Sequence, residues 1–371
     1  MRLERVTATG DHTTLADRKR RAGQRLLIGL AGPSVDDDLR ALVREIRPAG
    51  FVLFARNVVE PVQVRELNRE LASLVDAHDP ALLAVDQEGG RVQRVREPAT
   101  VWPPMRAVGR ADTHTADVSR ALAREVRALG FNLNFAPVAD VDSNPKNPVI
   151  GDRSFGERAA RVARHVVAFV KAHQAEGVIA CAKHFPGHGD TRTDSHLELP
   201  VVERELPQLR EVELVPFEAA VRADVGTVMT AHVIYPALDE QWPATLSEHI
   251  VKPFLRQVWG FEGVVFSDDL EMKAIRGRYT VSEQVERMTR AGVDVLLACK
   301  DPGLQEALFR ELIYAQERDA ALEKATRDSV ARVDALRVRF FADAPPVPDL
   351  AVVGTPAHRD LALRVLAEGG A

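Results

Sequence analysis

Short apolar, β-branched runs recur along the chain at intervals that leave room for a helix between each pair. In order they are Leu26–Ala31, Gly50–Ala55, Ala81–Asp86, Phe131–Val138, Val178–Ala182, Gly226–His232, Gly263–Asp268 and Val293–Cys299. Most are continuous apolar runs and not alternations, the pattern expected of strands buried on both faces. The intervening stretches carry the helical period instead. Val64, Leu67, Leu71 and Leu74 are spaced 3, 4, 3, and Val118, Leu122, Val126 and Leu129 are spaced 4, 4, 3. Val162, Val166 and Val170 mark a further helix, and Leu209, Val212, Leu214, Phe217 and Val221 another. Leu304, Leu308 and Leu312 begin the last, whose apolar spacing can be followed past Leu322 to Val333.

Eight buried strands alternating with helices predict an α/β fold, a single (β/α)8 barrel of the TIM type; a doubly wound open sheet is the alternative. No internal repeat and no Ser/Gly-rich linker divides the chain. The expected organisation is a polar N-terminal extension over residues 1–22, a catalytic barrel over 23–340, and a peripheral C-terminal tail over 341–371. The proline cluster Pro345, Pro346 and Pro348 marks the barrel's end.

Composition narrows the function classes. A hydrophobic fraction of 46% and a net charge of −5 over 371 residues suit a globular enzyme. They supply no basic stripe for nucleic acid or an anionic membrane. The first 21 residues are too charged for a secretory signal. No stretch approaches the roughly 18 uninterrupted apolar residues of a membrane span. Cys181 and Cys299 end apolar runs and read as buried thiols, not a disulfide. A cytoplasmic monomer is expected.

In such a barrel the C-terminal strand ends converge on one mouth. Here those ends supply Asp86 through Arg94, then Asp140, Asp142 and Arg153, then Lys183 and His184, His232, Asp268 and Asp269, and Lys300. Carboxylates, cations and amides with few aromatics suit a small hydroxyl-rich ligand. No glycine-rich phosphate loop follows a strand, so no nucleotide cofactor is expected.

The densest chemistry lies in Lys183–His196, with three histidines, two aspartates and a Pro-Gly turn. A metal site is disfavoured, because Pro186-Gly187 separates the ligand types and Lys183 would repel a dication. His188 and Asp190 read as loop-tying groups bonded to their own backbone. Asp194-Ser195-His196 reads as a general acid/base pair, the carboxylate steadying one ring nitrogen while the other exchanges a proton. Asp268, beside candidate cations Lys183, Arg153 and Arg94, is suited to remain ionised and attack an anomeric carbon. Asp269 is left to cap a following helix.

The strings Val85–Arg94, Lys183–His196 and Phe266–Leu270 closely resemble family 3 glycoside hydrolases, over about Gln24 to Val338. Among these the chain is most similar to the β-N-acetylglucosaminidases of bacterial peptidoglycan recycling. The K-H-F-P-G-H-G-x-x-x-x-D-S-H string belongs to that branch. The resemblance implies a retaining double displacement with Asp268 as nucleophile and Asp194 with His196 as the acid/base dyad. Its sugar-binding positions fall on Asp86, Arg94, Arg153, Lys183 and His184, where carboxylate, guanidinium and ammonium groups can bond hydroxyl and acetamido oxygens. The implied substrate is terminal GlcNAc on 1,6-anhydro-N-acetylmuramoyl peptides, with no metal and no cofactor. A non-catalytic amino-sugar sensor and a glycoside phosphorylase remain the alternatives.

Overall fold

Each apolar run becomes a strand of one closed parallel barrel in the computed structural model, which describes residues 13–191 and 199–370. In chain order the strands begin with β1 (Leu26–Gly29), β2 (Gly50–Leu53) and β3 (Leu82–Val85). A small antiparallel hairpin follows, β4 (Gln87–Gly89) with β5 (Val92–Gln93). The barrel resumes with β6 (Leu133–Asn134), β7 (Ile179–Phe185), β8 (Thr227–Thr230), β9 (Val264–Asp269) and β10 (Val295–Ala298). Closure comes from β1, which pairs in parallel with both β10 (Leu27 opposite Leu297) and β2 (Leu27 opposite Gly50). Strands enclosed this way have no solvent face, which is why most of their sequences are continuously apolar; Asn134 of β6 is buried and bonded to the Gln87 backbone.

Twelve helices among the described residues surround and cap the barrel. They are α1 (Leu15–Gly23), α2 (Asp37–Ile46), α3 (Pro61–Ser73), α4 (Met105–Ala111), α5 (Thr115–Ala128) and α6 (Ala159–Ala175). Then come α7 (Leu206–Glu211), α8 (Leu214–Arg222), α9 (Val281–Ala291), α10 (Pro302–Arg318), α11 (Ala320–Phe341) and α12 (Pro356–Gly369). A π-helix at Val251–Val258 stands between β8 and β9. The barrel interior is filled by strand side chains, with Phe135 and Phe266 edge to face at 5.5 Å. Val333, Leu336 and Phe340 of α11 join that interior cluster. None of the described helices is long and apolar enough to cross a membrane.

Several boundaries differ from the sequence-based expectation. The helix expected across Leu209–Val221 is two, α7 and α8, broken where Val212 leaves helical geometry and Glu213 turns inward. The long final helix divides at Asp319, whose carboxylate accepts from the Ala321 N–H at 2.7 Å and so caps α11. Asp269 caps no helix: β9 runs through it, and its carboxylate accepts from the Glu271 N–H in a turn. The polar extension drawn to residue 22 contains most of α1, where Thr14 and Asp17 form a capping box. The C-terminal tail is not peripheral along its length. Helix α12 packs on α4 through buried Leu361, Ala362 and Val365, and His358 Nδ1 lies 2.7 Å from Glu125 Oε1.

Candidate active site

The C-terminal strand ends surround a cavity of about 330 Å³, within the size range of small-molecule sites. Asp86 follows β3, Glu88 lies on β4, and Arg94 follows β5, so the hairpin folds three charged groups over the mouth. Arg153 arrives from a 3-10 turn at Gly151–Arg153, and Lys183 and His184 sit at the end of β7. Asp268 enters from β9, with Phe135, Met229 and Leu297 as apolar floor.

Lys183 is the hub of an ionic network. Its Nζ lies 2.7 Å from Asp86 Oδ1 and 2.6 Å from Glu88 Oε1. Arg94 donates to the other Asp86 oxygen at 3.1 Å, while Arg153 grips Glu88 with two bonds of 2.9 and 2.8 Å. Burial would raise the Asp86 carboxyl, but Lys183 and then Arg94 hold it well below the ordinary range. Glu88 is likewise depressed against burial, first by Arg153 and then by Lys183. Burial would lower the Lys183 ammonium, yet the two carboxylates raise it. Asp86, Glu88 and Lys183 therefore stay charged, and with the two guanidinium groups they form a fixed array of donors and acceptors suited to sugar hydroxyls.

Asp140, fully buried, organises the start of the loop beyond β7. It accepts from the His184 N–H, from the His188 N–H at 2.7 Å, and lies 2.8 Å from His184 Nδ1. The last contact places the ring proton on Nδ1 and turns Nε2 toward Arg153 at 3.5 Å. The Lys183–His184 and Phe185–Pro186 peptide bonds are both cis. Gly187 adopts φ +137, and a side chain there would strike Glu213. At Gly189 a Cβ would lie 1.6 Å from the Val141 carbonyl oxygen, so the loop presses on the chain following β6.

Asp268 accepts from the Asp269 N–H at 2.8 Å. Burial would raise its carboxyl, but His184, His232, that N–H and Lys183 together keep it below its ordinary value. The adjacent Asp269 behaves oppositely, pushed up to about 6 by burial. Thus neighbouring aspartates on one strand are shifted in opposite directions, and both line the cavity, Asp268 being the one favoured as a carboxylate. Cys181 and Cys299 are free and buried, and burial raises both thiols far from reactivity.

Of the residues singled out from sequence, Asp86, Arg94, Arg153, Lys183, His184 and Asp268 line this one cavity. Asp194 and His196 lie outside the described residues. His188 and Asp190 do more than bond their own backbone. His188 Nδ1 lies 2.9 Å from the Thr191 hydroxyl, and Asp190 pairs with Arg204 at 3.1 Å. Sequence alone places Glu88 and Asp140 at the mouth but gives them no role in the site. Their partners lie 65 and 44 positions away, so the strand-end rule could locate them but not say what they bind. Among the described residues no group of three or more His, Cys, Asp or Glu side chains could hold a metal ion.

Residues 20–336 match the glycosyl hydrolase family 3 N-terminal domain. A β-hexosaminidase from Nitrosomonas eutropha is 37% identical over 295 residues, covering 77% of this chain and 84% of that protein. A solved family 3 β-N-acetylglucosaminidase from a Paenibacillus species is 39% identical with a TM-score of 0.88, covering 96% of this chain and 69% of that one. NagZ from Neisseria gonorrhoeae, solved with N-trifluoroacetyl-D-glucosamine, is 31% identical with a TM-score of 0.78, covering 93% and 98%.

Proposed function

The chain belongs to glycosyl hydrolase family 3, and from that premise we propose a retaining exo-β-N-acetylglucosaminidase that works through a covalent glycosyl-Asp268 intermediate. The observation that carries this reading is the Asp268 carboxylate, held ionised at the cavity floor beside Asp86, Lys183 and His184. The β-hexosaminidase and β-N-acetylglucosaminidase relatives support the choice of sugar.

In the first step an Asp268 oxygen attacks the anomeric carbon while the glycosidic C–O bond breaks. The departing oxygen takes a proton from His196, giving a glycosyl ester and a free aglycone hydroxyl. In the second, His196 takes a proton from water, the water oxygen attacks the same carbon, and the ester C–O bond breaks to restore the Asp268 carboxylate. Two inversions leave the β configuration. Asp194, two residues before His196, would hold the far ring nitrogen and support the imidazolium. Asp86, Arg94, Arg153, Lys183 and His184 would fix the terminal sugar. The protein is taken to act as a monomer in this reading.

The natural substrate in this reading is GlcNAc-1,6-anhydro-MurNAc peptide in the cytoplasm, the substrate class suggested by the similarity of the motifs. Proton NMR of hydrolysis should show the β-anomer of GlcNAc first. Anhydro-muropeptides should be cleaved in preference to chitobiose. Initial formation of the α-anomer would remove the double displacement, and preference for chitobiose would remove the muropeptide assignment.

A further inference from the structure

The five residues Ala231–Tyr235, directly after β8, bond both to the chain beside Asp268 and to the two described limbs of the loop whose sequence carries Asp194 and His196. On one side His232 Nε2 lies 3.1 Å from the Asp269 carbonyl oxygen, immediately beyond Asp268. A carbonyl there requires the proton on Nε2, and Nδ1 faces the Thr245 hydroxyl at 2.9 Å. Thr245 is itself tied to Thr230 Oγ1 and the Ala231 carbonyl, both at 2.9 Å. On the other side the Tyr235 hydroxyl donates to the Gly187 carbonyl at 2.6 Å, at the root of the loop whose sequence carries Asp194 and His196. The returning limb of that loop is fixed too, by Val202 N–H to the Ile234 carbonyl and Ile234 N–H to the Pro200 carbonyl, each 2.9 Å. His232 and Tyr235 are both fully buried, so these bonds are not exchanged with water.

We infer that Ala231–Tyr235 is a strut that sets the spacing between nucleophile and acid/base loop, with His232 and Tyr235 as positioning residues for the two halves of the reaction. This rests on the dyad reading above. A bond of the sequence-distant kind (Tyr235 to Gly187) fixes where the loop leaves the barrel, while the one from His232 fixes the backbone that aims the Asp268 carboxylate. Each half therefore has its own kinetic signature. Misplacing the proton donor hurts only glycosides whose leaving group needs protonation. Misplacing the nucleophile hurts all glycosides alike.

The test measures kcat/KM on an alkyl and a 2,4-dinitrophenyl β-N-acetylglucosaminide. Tyr235→Phe keeps the ring and its packing. It should lower the alkyl rate by about tenfold relative to the dinitrophenyl rate. His232→Ala should lower both rates by a common factor, again about tenfold or more, and His232→Gln, which returns a neutral N–H donor, should recover part of the loss. If His232→Ala does not fold, Thr245→Val, which removes the hydroxyl facing Nδ1, should give the same common-factor loss. Equal losses on both substrates in Tyr235→Phe, or a leaving-group-dependent loss at His232 or Thr245, would overturn the strut. His196→Ala separates this from the parent reading. If it shows no leaving-group dependence the dyad falls; if it does and Tyr235→Phe does not, only the strut falls.

Discussion

Asp140 reaches His184 twice, at the backbone N–H and at ring Nδ1, so a single buried carboxylate sets both the backbone position and the tautomer of a cavity-lining histidine. Asp140→Asn would replace one acceptor oxygen by a donor and leave a buried N–H facing another N–H. We expect kcat/KM on an aryl N-acetylglucosaminide to fall roughly ten- to a hundredfold, the equivalent of about 1–3 kcal/mol. Steady-state kinetics beside a thermal melt check it. An unchanged rate would mean that His184 has no part in sugar recognition.

Lys183 holds two carboxylates apart from each other's charge. Lys183→Ala should cost about 3–5 kcal/mol of stability at pH 7, because it leaves Asp86 and Glu88 buried with one guanidinium each. The pH dependence has a definite sign. In the parent both carboxyls are depressed, so their contribution is full above the unfolded carboxyl range and is lost only in strong acid. Without the ammonium they titrate higher and can be neutralised by protonation. The gap between variant and parent in denaturant melts should therefore narrow from pH 7 toward pH 4.

Glu213 shows the reverse linkage. It is fully buried, bonded to Ser143 at 3.2 Å and 3.4 Å from Arg204, with its other oxygen lacking a hydrogen-bond partner among the described residues. Burial, partly offset by Arg204, pushes its carboxyl up to about 7. The folded state thus binds the proton more tightly than the unfolded chain, and stability declines as pH rises from the ordinary carboxyl range through 7. Glu213→Gln should match the parent near pH 4.5 and exceed it at pH 8, by on the order of 3 kcal/mol. Parallel melts at the two pH values decide it. A variant no more stable than the parent at pH 8 would show that the ionised form is accommodated by Arg204.

Exhaustive chelation should leave turnover unchanged, since the cavity's carboxylates Asp86 and Glu88 are already saturated by cationic side chains. A loss restored by adding a divalent ion would contradict this.

The barrel was legible because strands buried on both faces favour continuous apolar runs, and most of the eight runs carry that mark, Phe131–Phe135 with its two asparagines being the exception. What the sequence concealed depends on distant partners. Residues Leu209–Val221 keep helical spacing across Glu213, yet the chain breaks there because the carboxylate turns toward Ser143 and Arg204. The division at Asp319 has no Gly or Pro to announce it, only a side chain that caps the next helix. Leu361 and Val365, four apart, were the available sign that the tail docks. At the site, six residues could be read from strand ends and motif similarity. Glu88 and Asp140 could be placed at the mouth but given no role until their cationic and imidazole partners arrived from distant parts of the chain.

The most direct measurement is peptide mass spectrometry of protein quenched during turnover of a fluorinated N-acetylglucosaminyl donor that slows the second step. Covalent modification of the peptide containing Asp268 by one sugar residue is the result expected here. A label on another side chain, or none while substrate is consumed, would contradict an aspartyl ester at that position.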